Sequence, residues 1–176
     1  SNSGDLHHYG ELFPGFLAVY APAKKLYYLA DVAQLEWLWH EAFHAADAPV
    51  LDLSALAAIP PADYDRLHFH LQPGCRLFRS PFPVLQIWEA NQPTNIAVKE
   101  INLEDGPENL ILYRTGFEVV IARLSVAEYA LVESLGTGAA LGTAIARVIE
   151  LESEIDAGAA LQRLAVQGSV CGFAVA

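Results

Sequence analysis

The hydrophobic residues of this chain change their spacing twice, and that change constrains the fold class more than any other feature. Between Tyr28 and Asp47, the residues Val32, Leu35, Trp39, Ala42 and Ala46 recur at helical spacing. They predict a helix with one apolar stripe, closed by Pro49. Between Arg66 and Gln72 polar and apolar residues alternate without error. That period predicts a half-buried strand with Leu67, Phe69 and Leu71 on one face. Helical spacing returns after Ser125. Helices, then strands, then helices predict an α+β fold with an antiparallel sheet, rather than alternating β–α units.

Turn signals divide the rest. Residues 9–20 read as a short helical lead-in broken at Pro14, and 53–65 as two short turns of helix around a loop. Pro73-Gly74 predicts a tight turn, with 75–79 as the return strand of a hairpin. Val84–Asn91 reads as a short helix with Pro83 at its first turn. Residues 96–103 read as a strand, and 110–114 with 117–124 as a second hairpin through Thr115-Gly116. Ser125-Val126-Ala127-Glu128 is a capping box that opens a helix ended by Gly136. A second helix is expected over 139–151, with Leu141, Ile145 and Val148 inward. A third starts at Ser153–Asp156 and ends near Gly168, and 170–175 form a last edge strand. The C-terminal order, a hairpin plus three helices, is winged-helix-like. The chain is expected to be one compact unit, with a junction near 104 between a helix-plus-hairpin half, 9–104, and a hairpin-plus-helical half, 105–176. Residues 1–8 are expected to be a cloning remnant (Ser1-Asn2-Ser3) and an inter-domain junction.

Composition narrows the function. Ten Lys and Arg stand against 21 Asp and Glu, for a net charge of −11. Binding to the phosphate backbone is driven by cations that release counterions, so this balance disfavours nucleic acid. Residues 109–168 hold four Arg, no Lys and seven acids, a local net charge of −3. A peptide partner, added as a strand to the exposed hairpin edge, fits better than a DNA groove. No run of 18 uninterrupted apolar residues occurs, so no membrane contact is expected. Cys75 and Cys171 are expected to be reduced, in a cytoplasmic chain.

His40-Glu41-Ala42-Phe43-His44 matches H-E-x-x-H. On a helix that spacing puts two imidazoles on one face for zinc, with Glu41 as general base. A catalytic zinc needs a third protein ligand, and no third His follows in sequence. Trp37, Trp39 and Phe43 crowd the same helix, and Glu36, His40 and His44 lie four residues apart in turn. Carboxylate–imidazole pairing on a helix face is the favoured reading, with a zinc hydrolase as an alternative. His68 and His70 are expected to face outward on their strand. No phosphate-binding loop, dinucleotide fingerprint or nucleophile elbow is present. The expectation is therefore no catalytic residue and no cofactor. The run Arg76–Pro83 is the most concentrated basic-aromatic patch. Its Arg76, Arg79 and Phe82 are candidate docking residues, since aromatics and Arg are enriched at interfaces.

Three stretches taken together resemble the HvfC/BufC family. They are Tyr27–Trp37 (YYLADVAQLEW) with His40 and His44–Ala48, Arg76–Val84 (RLFRSPFPV) with Trp88, Ala90 and Asn91, and Tyr113–Val119 (YRTGFEV) leading into the Ser125–Glu128 box. The resemblance spans most of the chain. It implies a two-domain bacterial protein whose N-terminal helical domain, labelled DNA-binding, ends where this chain begins, near Leu6–Gly10. It also implies an accessory partner of HvfB/BufB-type multinuclear iron oxidases, which modify cysteines in small ribosomally made peptides. The implied role is a noncatalytic adaptor that holds a precursor peptide and docks on the oxidase. Glu41 is not a defining position of that family. Candidate partner contacts are Arg76, Arg79, Phe82 and Trp88, with Tyr113, Arg114 and Phe117 on the hairpin. A further alternative is part of a transcriptional regulator that touches DNA only through the absent N-terminal domain.

Overall fold

The structure, a computed structural model, describes residues 10–93 and 100–176. The fold is α+β. In chain order the elements are α1 (Phe13–Val19), α2 (Leu29–His44), α3 (Leu53–Ala57), β1 (Leu67–Leu71), β2 (Arg76–Ser80), α4 (Val84–Ala90), β3 (Glu108–Thr115), β4 (Glu118–Arg123), α5 (Val126–Gly136), α6 (Leu141–Leu151), α7 (Ala157–Val166) and β5 (Val170–Val175), with 3-10 turns at Ala21–Ala23 and Pro61–Arg66. The described chain forms two compact units, and both are discontinuous. The first takes residues up to His40 and Arg79–Glu108, the second Glu41–Phe78 and Asn109–Ala176. This differs from one compact unit with a single junction near 104.

In the first unit, Ala33 and Leu35 of α2 and Val84, Leu85 and Ile87 of α4 are buried. Two buried polar groups are satisfied locally, as burial demands. Ser80 Oγ donates to Asp31 Oδ2 (2.6 Å) and accepts from Phe82 N–H (3.1 Å). The α4 N-cap is Pro83, which offers no side-chain acceptor. Glu108 fills that role by accepting from Leu85 N–H at 2.8 Å.

The second unit holds the larger core. Helix α5 buries Ala127, Tyr129, Ala130, Leu131, Val132, Ser134 and Leu135. A helix apolar on nearly every side belongs in the interior, and α5 runs through the centre of this core. Around it lie Leu67 and Phe69 of β1, Ile111 and Tyr113 of β3, Leu141, Ala144 and Val148 of α6, Ala160 and Leu164 of α7, and Val170 of β5. The expected capping box is present. Glu128 N–H donates to Ser125 Oγ (3.1 Å), and Ser125 N–H donates to the Glu128 carboxylate (2.8 Å).

The strands pair differently from the sequence reading. That reading joined 66–72 and 75–79 in a hairpin, within one sheet. Instead β1 pairs antiparallel with β5, Leu67 opposite Val175 and Phe69 opposite Phe173, while β2, β3 and β4 form a separate sheet in that order. The turn at Pro73-Gly74 does form, with Cys75 N–H on Gln72 O at 2.8 Å. It links strands of two sheets, because Gln72 N–H is already bonded to Ser169 O (2.9 Å) beside β5. Of the expected strand 96–103, residues 96–99 lie outside the described residues, and 100–103 are not in a strand.

Smaller boundaries also move. Helix α2 ends at His44, so Ala46 falls beyond it and is exposed. The third C-terminal helix starts from Asp156, whose carboxylate accepts from Ala159 N–H (2.8 Å), and not from Ser153. Helix α5 does end at Gly136 as expected, and the left-handed residue that follows it is Gly138 (φ 81°).

Gly142 in the first turn of α6 approaches the 3-10 turn closely. A Cβ there would lie 2.9 Å from Asp65 Cβ and 3.2 Å from Asp65 O. Helix propensity favours Ala over Gly by about 1 kcal/mol, whereas forcing an extra methyl into a packed site costs about 1–3 kcal/mol. The steric cost should win, because the obstacle includes backbone. Gly142→Ala should therefore melt below the wild type in a thermal scan. A rise in melting temperature would show that the turn yields.

Candidate peptide-docking edge

Among the described residues, β4 has β3 on one side and no strand on the other. The register pairs Thr115 with Glu118, Tyr113 with Val120, Ile111 with Ala122, and Leu110 with Arg123. The loop is therefore Gly116-Phe117, one residue later than the expected Thr115-Gly116. Gly116 has φ 61°, and among the described residues none other than Gly has positive φ. A two-residue loop with Gly first matches the strand twist as a type II′ turn. That turn lifts Phe117 to the hairpin tip, where it is 91% exposed.

The register also fixes which main-chain groups point outward. In a two-residue hairpin the flanking pair, here Thr115 and Glu118, exchanges hydrogen bonds, and bonded pairs recur at every second position. The bond from Leu124 N–H to Asn109 O (2.8 Å) falls on this phase. The N–H and C=O groups of Val119, Ile121 and Arg123 therefore point away from β3. Val120 and Ala122 pack on the core of their unit, while Glu118 and Arg123 are exposed. At the far end of β4, a cavity of about 60 Å³ is lined by Arg123, Leu124, Glu128, Arg163, Leu164 and others. The Arg163 guanidinium pairs with Glu128 on its wall.

The candidate contacts fall in very different surroundings. In the second unit, Arg76 Nε pairs with Glu41 (3.0 Å), and its Nη1 donates to Pro73 O (2.7 Å) and Cys75 O (3.0 Å). It braces the Pro73-Gly74 turn. Tyr113 is only 5% exposed and sits in the core on the same strand face as Ile111. Its phenol is pushed above its ordinary pKa by burial. Arg114, mostly buried, pairs with Asp47. Phe117 alone of the three hairpin candidates is open. In the first unit, Arg79 is exposed. Phe82 is half-buried against Tyr27, ring centroids 5.2 Å apart. Trp88 is half-buried and lines a concavity with Glu36, Trp39 and Gln92.

The H-E-x-x-H residues lie on α2. The His40 ring stacks on Trp37 (5.2 Å) and the His44 ring meets Phe43 edge-on (5.1 Å). Glu41 faces Arg76 rather than an open position. The same helix thus carries ring contacts at both imidazoles and a long-range ion pair at Glu41. Among the described residues, no three His, Cys, Asp or Glu groups are placed to hold a metal ion. His68 is half-buried, its Nδ1 2.9 Å from Gly138 O, and His70 is exposed.

Both cysteines are free thiols. Burial pushes the Cys75 thiol from its ordinary 9.0 up to about 12, against the lowering effect of the Arg76 charge. Burial also raises Cys171, whose Sγ lies 3.4 Å from both His70 O and Leu71 O. A thiol raised on folding contributes its full stability below about pH 9.0, because there it is protonated in both states. Above that, the unfolded thiol ionises first, and the contribution drains away as pH rises towards about 12. Urea midpoints of wild type and Cys75→Ala, measured from pH 8 upward, should therefore converge above pH 9. A constant gap would show that the thiol ionises freely.

Of the residues lining the cavity at the end of β4, Ala122, Arg123 and Leu124 belong to the candidate hairpin, while those of α5 and α7 are not candidates from sequence. In the sequence Glu128 is only half of a capping box, and Arg163 one of four Arg in an acidic stretch. Nothing local marks either as a neighbour of β4. Among the described residues, no helix is long and apolar enough to cross a membrane. Comparison with protein-family models and with curated proteins gives no match.

Proposed function

We propose that this chain is a noncatalytic adaptor that grips an extended precursor peptide along β4 and docks on the multinuclear iron oxidase that modifies it. The observation that carries the peptide half is the open edge of β4. Among the described residues, it offers main-chain donors and acceptors at Val119 and Ile121, in the phase that an added strand requires. Exposed Phe117 at one end and the small cavity at the other supply side-chain contacts, which give such a strand its register. The oxidase half rests on the HvfC/BufC resemblance. For that contact the candidates are Arg79, which is exposed, and Phe82, which is half-buried against Tyr27. Metal chemistry in this scheme belongs to the oxidase.

The test is co-expression of the chain with a candidate iron oxidase and its precursor peptide, followed by affinity purification through the chain. Recovery of peptide and oxidase together is the expected result. Folded partners that elute separately would remove the adaptor reading.

A further inference from the structure

In the first unit, α2 presents Glu36 and Trp39 one turn apart on one face. Trp88 on α4 and Gln92 just beyond its end are likewise one turn apart. These four residues line an open concavity of about 270 Å³. Glu36 is exposed, and the two indoles and Gln92 are half-buried. Gln92 Nε2 donates to Trp88 O at 3.1 Å, which leaves its Oε1 as the acceptor available to a ligand.

The chemistry of this wall is one-sided. Among the described residues it has two indole faces, a carboxylate and an amide oxygen, and no cation. Indole is the strongest aromatic partner for a cation, and a carboxylate strengthens a hydrogen bond from a charged donor. An anion would meet Glu36. A purely apolar ligand would strip water from that carboxylate with nothing in return. The net charge of −11 adds a long-range attraction for cations. The volume suits one side-chain head group and falls short of ordinary small-molecule pockets, about 300–1,000 Å³.

We infer that this concavity is a recognition site for a single lysine or arginine side chain of a peptide, with Trp39 and Trp88 as the aromatic walls and Glu36 as the counter-charge. The site does not depend on the β4 edge, and either can fail alone.

The experiment follows the three indole N–H signals in ¹⁵N-correlated NMR spectra of the whole chain. The probes are N-acetyl-lysine amide, N-acetyl-arginine amide and the uncharged N-acetyl-norleucine amide. Lysine or arginine should shift the Trp39 and Trp88 signals saturably, with Trp37 less affected and norleucine inert. Glu36→Gln, at an exposed position, should weaken the effect about three- to five-fold, the upper range of an exposed ion pair. Trp88→Leu should abolish it. Equal shifts with norleucine, no saturation with either cation, or an unchanged affinity in Glu36→Gln would overturn the assignment.

Discussion

Leu131→Ala is expected to lower the unfolding free energy by about 2–5 kcal/mol. Leu131 is 0% exposed, on a helix that is buried along most of its faces. The lost transfer energy is joined by the cost of a cavity that neighbours from β1, β3, α6 and α7 can only partly close. A domain of this kind holds about 5–15 kcal/mol in all, so the change is a large fraction of the total. Leu12→Ala removes the same atoms where the side chain is 82% exposed, and should cost about 0.5 kcal/mol or less. Urea unfolding followed by far-ultraviolet circular dichroism measures both. Equal losses would mean that α5 is not the centre of the core.

What could be read from the sequence was local, and what could not was long-range. The Ser125–Glu128 box, the alternation through Leu67, Phe69 and Leu71, and the Gly-containing β3–β4 turn depend on neighbours within a few residues. Each was recognisable, the turn to within one residue. Alternation names the buried face of a strand but not its partner. β1 meets β5 about 100 residues later in the chain, as the Phe69–Phe173 pair shows, while Pro73-Gly74 suggested the nearer strand. The same limit applies to the candidate contacts. Arg76 looked like a docking residue until Glu41, 35 positions away, was found beside it. Tyr113 shares a strand face with buried Ile111, and alternation could have flagged that. Phe117 is open because Gly116 carries the positive φ that sharpens the turn. Trp88 was singled out through a resemblance, and its pairing with Glu36 and Trp39 in one concavity needed the packing of two helices.

Ile121→Pro is the second large effect, and it tests the peptide edge without dismantling the hairpin. The Ile121 N–H points away from β3, so proline removes no bond from the β3–β4 ladder. Proline in a strand is tolerated in that setting, on an edge with its missing N–H outward. An incoming peptide would lose a main-chain donor and leave one of its own carbonyls unpaired. That costs about 1–3 kcal/mol, or roughly 5- to 150-fold in affinity. Val120→Pro is the opposite-phase partner. Its N–H bonds across to Tyr113, so it should destabilise the hairpin itself, visible as a lowered melting temperature. Ile121→Ala separates loss of the half-buried side chain from loss of the donor. The expected pattern is a folded Ile121→Pro chain that fails to retain the precursor peptide, beside an Ile121→Ala chain that keeps most of its affinity. If the proline chain folds and binds as the wild type does, an added strand on β4 is not how the peptide is held.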